Sequence, residues 1–118
     1  MKYVDLLIER YHSLSVCRDE IETVISSIVD MHKKGGTLLV CGNGGSAADS
    51  EHITGELLKG FLLKRPLTEK ESEGITADVA KKLQGGIKAI PLTSLSALGT
   101  AFSNDVDADL VYAQLVSV

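Results

Sequence analysis

The chain has 118 residues, 44% of them hydrophobic and 24% charged, with a net charge of −4. That length suits one domain with a modest core, and the absence of a basic block gives nucleic acid no surface to bind. No apolar run approaches the roughly 20 residues of a membrane span, so no membrane partner is expected, and acids inside the first apolar stretch argue against a signal peptide.

Residues 3–34 predict helix. Val4, Leu7, Ile8, Tyr11 and Leu14 follow helical spacing, as do Ile21, Val24, Ile25, Ile28 and Val29, with a break expected around Ser13–Ser15. Gly35-Gly36 after Lys33-Lys34 reads as a helix stop. Thr37–Cys41 predicts a short strand without alternation, as in a buried parallel sheet. Helix is expected from Ser46 to about Lys59. Over 62–86, Pro66 interrupts, Thr68 and Glu71 form a candidate capping box, and Ile75, Val79 and Leu83 recur every four residues. This stretch reads as a small amphipathic helix or a flap. Lys88–Thr93 predicts a second strand whose end Pro91 weakens. Ser94–Phe102 predicts helix, Asn104-Asp105 a turn, and Asp107 a cap for a last helix.

Helix, strand, helix, strand, helix is the start of a layered α/β fold. Two strands make too small a parallel sheet, so the expectation is the first half of a larger domain, or a chain that assembles with other copies. Its parts are a helical arm over 1–34 and a core over 35–118 with an insert at 62–86.

The most informative segment joins strand to helix: Cys41-Gly-Asn-Gly-Gly-Ser46. Glycines let backbone approach a ligand closely, and the first N–H groups of a helix attract anions, so Asn43, Gly44, Gly45 and Ser46 are candidate phosphate-binding residues. A tight turn with Ser46 merely capping the helix is the plainer reading. Gly42, Gly44 and Ala47 also match a dinucleotide-binding pattern, but the next strand ends in Leu92-Thr93-Ser94 with no acid for a ribose. No Gly-Lys-Ser/Thr follows, which excludes a P-loop.

His52 and Glu56, four residues apart, share one helix face. Imidazole and carboxylate suit zinc, acid–base chemistry, or a solvated helix pair, and Asp49 stands one turn earlier, where it could orient the imidazole. His12 and His32 read as surface residues. Cys17 and Cys41 read as reduced thiols of a cytoplasmic protein.

The block from Cys41 to Leu57 resembles the sugar isomerase (SIS) domain family, and within it the phosphoheptose isomerase group. The helices of 3–34 and the Ala101-Phe102-Ser103-Asn104-Asp105 segment are similar to that group as well. The resemblance implies a three-layer flavodoxin-like fold with a parallel sheet, a homotetramer or dimer with sites at subunit interfaces, and aldose–ketose isomerisation. The implied substrate is sedoheptulose 7-phosphate, giving glycero-manno-heptose 7-phosphate, or a related sugar phosphate. It assigns Ser46 to phosphate, His52 and Glu56 to zinc, Glu56 also to catalytic base, and Asn104 and Asp105 to the sugar's surroundings. The family's second phosphate loop and the remaining Gln and His of its metal site would lie beyond Val118. Two alternatives remain open: a phosphosugar-binding regulator without catalysis, and a replication-initiator-binding protein.

Overall fold

A computed structural model describes residues 1–117. They form two compact units, Met1–Gly36 and the residues from Thr37 onward.

The first unit is helical. α1 (Lys2–Arg10) leads through a 3₁₀ segment, His12–Cys17, into α2 (Arg18–Lys33). The interruption falls at the Ser13–Ser15 break expected from sequence. α2 ends in a Schellman motif: the Gly36 N–H donates to the Met31 carbonyl at 2.9 Å and that of Gly35 to the His32 carbonyl at 2.9 Å. Gly35 lies at φ +74°, which explains glycine there. Only Val4 is fully enclosed in this unit, and Val24, Ile25 and Val29 of α2 stay exposed.

The second unit is α/β. β1 (Leu38–Val40) pairs in parallel with β2 (Ala89–Pro91), Leu38 opposite Ala89 and Val40 opposite Pro91. The crossover contains α3 (Gly45–Leu58) and the short α4 (Ala77–Ala80). β2 is shorter than the expected 88–93, because Pro91 has no N–H for the ladder and the chain turns into a 3₁₀ segment, Leu92–Ser94. α5 (Ser96–Phe102) then begins two residues later than predicted.

The amphipathic helix anticipated within 62–86 is reduced to the four residues of α4. Gly74 takes φ +76° and interrupts the run carrying Ile75, Val79 and Leu83. Val79 is 48% and Leu83 45% exposed, so burial offers little to offset the cost of nucleating a longer helix. The capping box does form: the Thr68 N–H donates to Glu71 Oε2 at 2.8 Å, and the Glu71 N–H to Thr68 Oγ1 at 3.3 Å. The Gly85 N–H closes the loop onto the Arg65 carbonyl at 2.7 Å.

Asn104-Asp105 is not an open turn. It lies in a π-helical turn, Ser103–Asp107, which continues α5 with a wider hydrogen-bond spacing. Asp107 accepts from the Asp109 N–H at 2.8 Å and starts a 3₁₀ segment, Ala108–Leu110, that passes into α6 (Val111–Ser117).

The core is small. Ala89, Leu92 and Leu115 are its buried apolar residues in this unit, joined by Ser50 and Thr54 of α3. Ser50 Oγ donates to the Ala47 carbonyl at 2.7 Å and lies 3.1 Å from Thr93 Oγ1, while Thr54 Oγ1 donates to the Ser50 carbonyl at 2.8 Å. Small hydroxyl residues let α3 come close to the sheet with every buried hydroxyl partnered. That packing holds α3 against the segment after β2, and the glycine turn joins β1 to the start of the same helix. Among the described residues no helix is long and apolar enough to cross a membrane.

Candidate functional site

The turn from Cys41 to Ser46 needs its glycines for different reasons. A Cβ on Gly42 would stand 2.5 Å from the Ser46 carbonyl oxygen and 2.6 Å from Ser46 Cβ, so glycine permits α3 to start where it does. Gly44 is the residue before α3 and holds φ +60°, ψ −123°, a conformation nearly closed to L side chains. A Cβ on Gly44 or Gly45 would meet nothing within 4 Å, so that backbone is open to a ligand.

Ser46 is not the helix cap. Gly44 occupies that position with no side-chain cap bond, and the exposed Ser46 contributes its N–H to the Asn43 carbonyl at 3.2 Å. The Ala47 N–H reaches the Gly44 carbonyl at 3.1 Å.

A cleft of about 850 Å³ opens beside this turn. Gly42, Asn43 and Gly44 of the turn line it, whereas Gly45 and Ser46 stand outside the lining; Thr93, Ser96, Thr100, Ser103 and Asn104 add polar groups, and Leu92 and Leu115 are among the apolar wall residues. Among the described residues Asp109 is its one charged lining residue. Hydroxyls and amides dominate the polar lining, a chemistry suited to a polyhydroxylated ligand.

Tyr112 of α6 also lines the cleft, with its hydroxyl 2.7 Å from the Gly42 carbonyl oxygen and 2.8 Å from Asn43 Oδ1. No motif in the sequence marks this residue, nor Thr93, Ser96, Thr100 or Asp109, as part of a site. The one signal at Tyr112 is an aromatic with a polar tip on a short helix.

The other predicted residues divide. Asn104 lines the cleft and donates to Asp105 Oδ1 at 2.8 Å, while Asp105 is exposed and outside the lining. His52 and Glu56 face away from the buried Ser50–Thr54 side of α3 and are not part of the cleft wall. His52 Nε2 lies 3.9 Å from Glu56 Oε1, with the side chains 78% and 45% exposed. Asp49 makes no hydrogen bond to His52. No third His, Cys, Asp or Glu joins the pair in a group that could hold a metal, among the described residues. Cys17 and Cys41 are free thiols.

The family model of the SIS domain matches residues 2–86. Phosphoheptose isomerase of Roseiflexus sp. (strain RS-1) is 34% identical over 111 residues, covering 88% of this chain and 47% of the relative. The Synechocystis sp. (strain ATCC 27184 / PCC 6803 / Kazusa) enzyme of that name is 32% identical over 113 residues, covering 92% and 48%. That of Crocosphaera subtropica (strain ATCC 51142 / BH68) is 34% identical over 109 residues, covering 92% and 45%. The chain spans about half the length of these curated relatives. A glycine turn between a parallel strand and its crossover helix, within a sequence that this model matches over most of its length, places the chain in the SIS domain family.

Proposed function

We propose that the chain supplies the phosphosugar-binding part of an aldose–ketose isomerase acting on sedoheptulose 7-phosphate or a closely related sugar phosphate. The observation that carries this reading is the cleft itself. It starts at open glycine backbone at the head of a 14-residue helix and continues along hydroxyl and amide side chains. The helix start suits a phosphate, and the polar wall suits the sugar's hydroxyls. The names of the relatives support isomerisation and the heptose class.

In this reading the backbone at Gly44 and Gly45, with Ser46, binds the phosphate, and Asn43 and Asn104 orient the sugar chain. Isomerisation moves a proton between C1 and C2 through an enediol. Glu56 takes the proton from one carbon and returns it to the other. The donor types of His52 and Glu56 suit zinc, and they would hold it as two of its ligands, with the others from outside the described residues. Bound there, zinc would supply Lewis-acid stabilisation of the developing oxyanion. The exposed apolar residues of α2 support a homo-oligomer, in which a neighbouring copy could complete the site.

One observation favours a second reading. Glu56 and His52 stand outside the cleft wall, as they would in a phosphosugar-binding regulator with no chemistry of its own. Exchange of the sugar's C1 or C2 proton with deuterated solvent separates the two. The isomerase reading expects exchange that Glu56→Gln abolishes while sedoheptulose 7-phosphate still binds. Binding without exchange in the parent protein supports the regulator, and exchange undiminished in Glu56→Gln refutes the base assignment.

A further inference from the structure

We infer that Tyr112 is a positioning residue that holds the phosphate turn in its binding-competent shape. The inference rests on the phosphosugar reading above. The turn has little to fix it from within. Three of its residues from 42 to 45 are glycines, which lose the most backbone freedom on ordering. Its own amides make only the 3.2 Å and 3.1 Å bonds of Ser46 and Ala47. Tyr112 arrives from α6, about 70 residues along the chain, and touches two successive residues of the turn, Gly42 through its carbonyl and Asn43 through its side chain.

The hydroxyl has one proton, so it donates to one of the two oxygens. With the Asn43 amide turned end for end, its NH₂ donates to the phenol oxygen and both contacts become hydrogen bonds. Either way the phenol lies over the Gly42 carbonyl oxygen, an acceptor that would otherwise repel an anion at this turn. Ordering the turn before ligand arrives also removes an entropic cost from binding. Tyr112 lines the cleft, and Tyr112→Phe deletes the hydroxyl brace while keeping the ring.

Two readouts on the full chain test this together: affinity for sedoheptulose 7-phosphate by calorimetry, and amide hydrogen exchange. Tyr112→Phe should weaken binding about five- to tenfold, as expected for losing one partly buried hydrogen bond. It should also speed exchange at Ser46 and Ala47 while the sheet and α2 amides keep their rates. Unchanged exchange at the turn overturns the inference, whatever happens to affinity, because the hydroxyl then acts on the ligand directly or not at all. Faster exchange throughout the chain overturns it as well, since that marks general destabilisation. Locally faster exchange with unaltered affinity shows a brace without a role in binding and rejects the inference too. If the parent protein binds no sugar phosphate, the proposed function fails, and local exchange at the turn alone decides whether Tyr112 braces it.

Discussion

Three neighbouring glycines should respond to alanine in three different ways. At Gly44 the added methyl meets nothing within 4 Å, so its whole cost is backbone conformation at φ +60°, ψ −123°. Such strain costs about 1–3 kcal/mol, and reduced freedom of the unfolded chain returns about 0.4–1 kcal/mol. Gly44→Ala should therefore destabilise by about 1–2 kcal/mol. Alanine of D configuration at the same position, introduced by chemical ligation, inverts the argument. The mirror-image angles are ordinary extended backbone for it, so stability should rise by about 0.4–1 kcal/mol. At Gly42 the conformation is permissive but the methyl would sit 2.5 Å from a backbone oxygen, and the start of α3 would have to move. A loss of at least about 2 kcal/mol follows for Gly42→Ala. Gly45 is the first residue of α3 with open space around it, so Gly45→Ala should stabilise by up to about 1 kcal/mol. It should also lower sugar-phosphate affinity, because the methyl occupies the space through which backbone meets ligand. Urea unfolding of the four variants, with calorimetry for Gly45→Ala, gives the ranking. If both configurations of alanine at position 44 destabilise equally, the conformational argument is wrong. If Gly45→Ala binds sugar phosphate as well as the parent, the open backbone is not the cradle.

Ser50→Ala removes a hydroxyl that is 1% exposed and bonds within α3 and across to Thr93. The expected loss is about 0.5–1 kcal/mol, the missing bonds being partly offset by alanine's helix propensity, and a stabilised variant would contradict the packing described. In the first unit the Arg18 guanidinium beside Asp5, and the amino terminus beside Glu22, hold both carboxyls below the usual carboxylate range. Their stabilisation is complete above that range and fades as pH falls through the lowered folded values. Helicity of residues 2–33, followed by NMR, should decline below about pH 4, and Asp5→Asn should flatten that dependence; identical acid profiles would rule the pair out as its cause. Zinc titrated calorimetrically into the protein should bind at least about tenfold more weakly to His52→Ala than to the parent, and equal affinities would remove this helix face from any metal site.

Much of the chain was legible because its signals are local. The apolar spacing of Ile21, Val24, Ile25 and Ile28 marked α2, and Gly35-Gly36 marked its end. The Thr68–Glu71 box and the Asp107 cap were readable as pairs a few residues apart, and both formed. The Cys41–Leu57 block, with its strand-to-helix glycine turn, carried the specific part of the family resemblance. Local periodicity misled over 75–83, where Gly74 and the lack of a burying partner left a four-residue helix. Asn104-Asp105 looked like a turn by composition, yet the helix continued through them in wider form.

The order of elements, the glycine turn and the family resemblance are thus legible along the chain, since each depends on neighbours within a few positions. The cleft was decided only by tertiary structure. Its walls combine the turn after β1, the segment after β2, α5 and α6, and its brace joins Tyr112 to residues about 70 positions earlier. Burial made the same choice along α3. The sheet took the side bearing Ser50 and Thr54 because small hydroxyls partnered within the helix can be buried at low cost, and that left His52 and Glu56 facing outward. No spacing rule along the chain contains that information, because it depends on which surfaces meet.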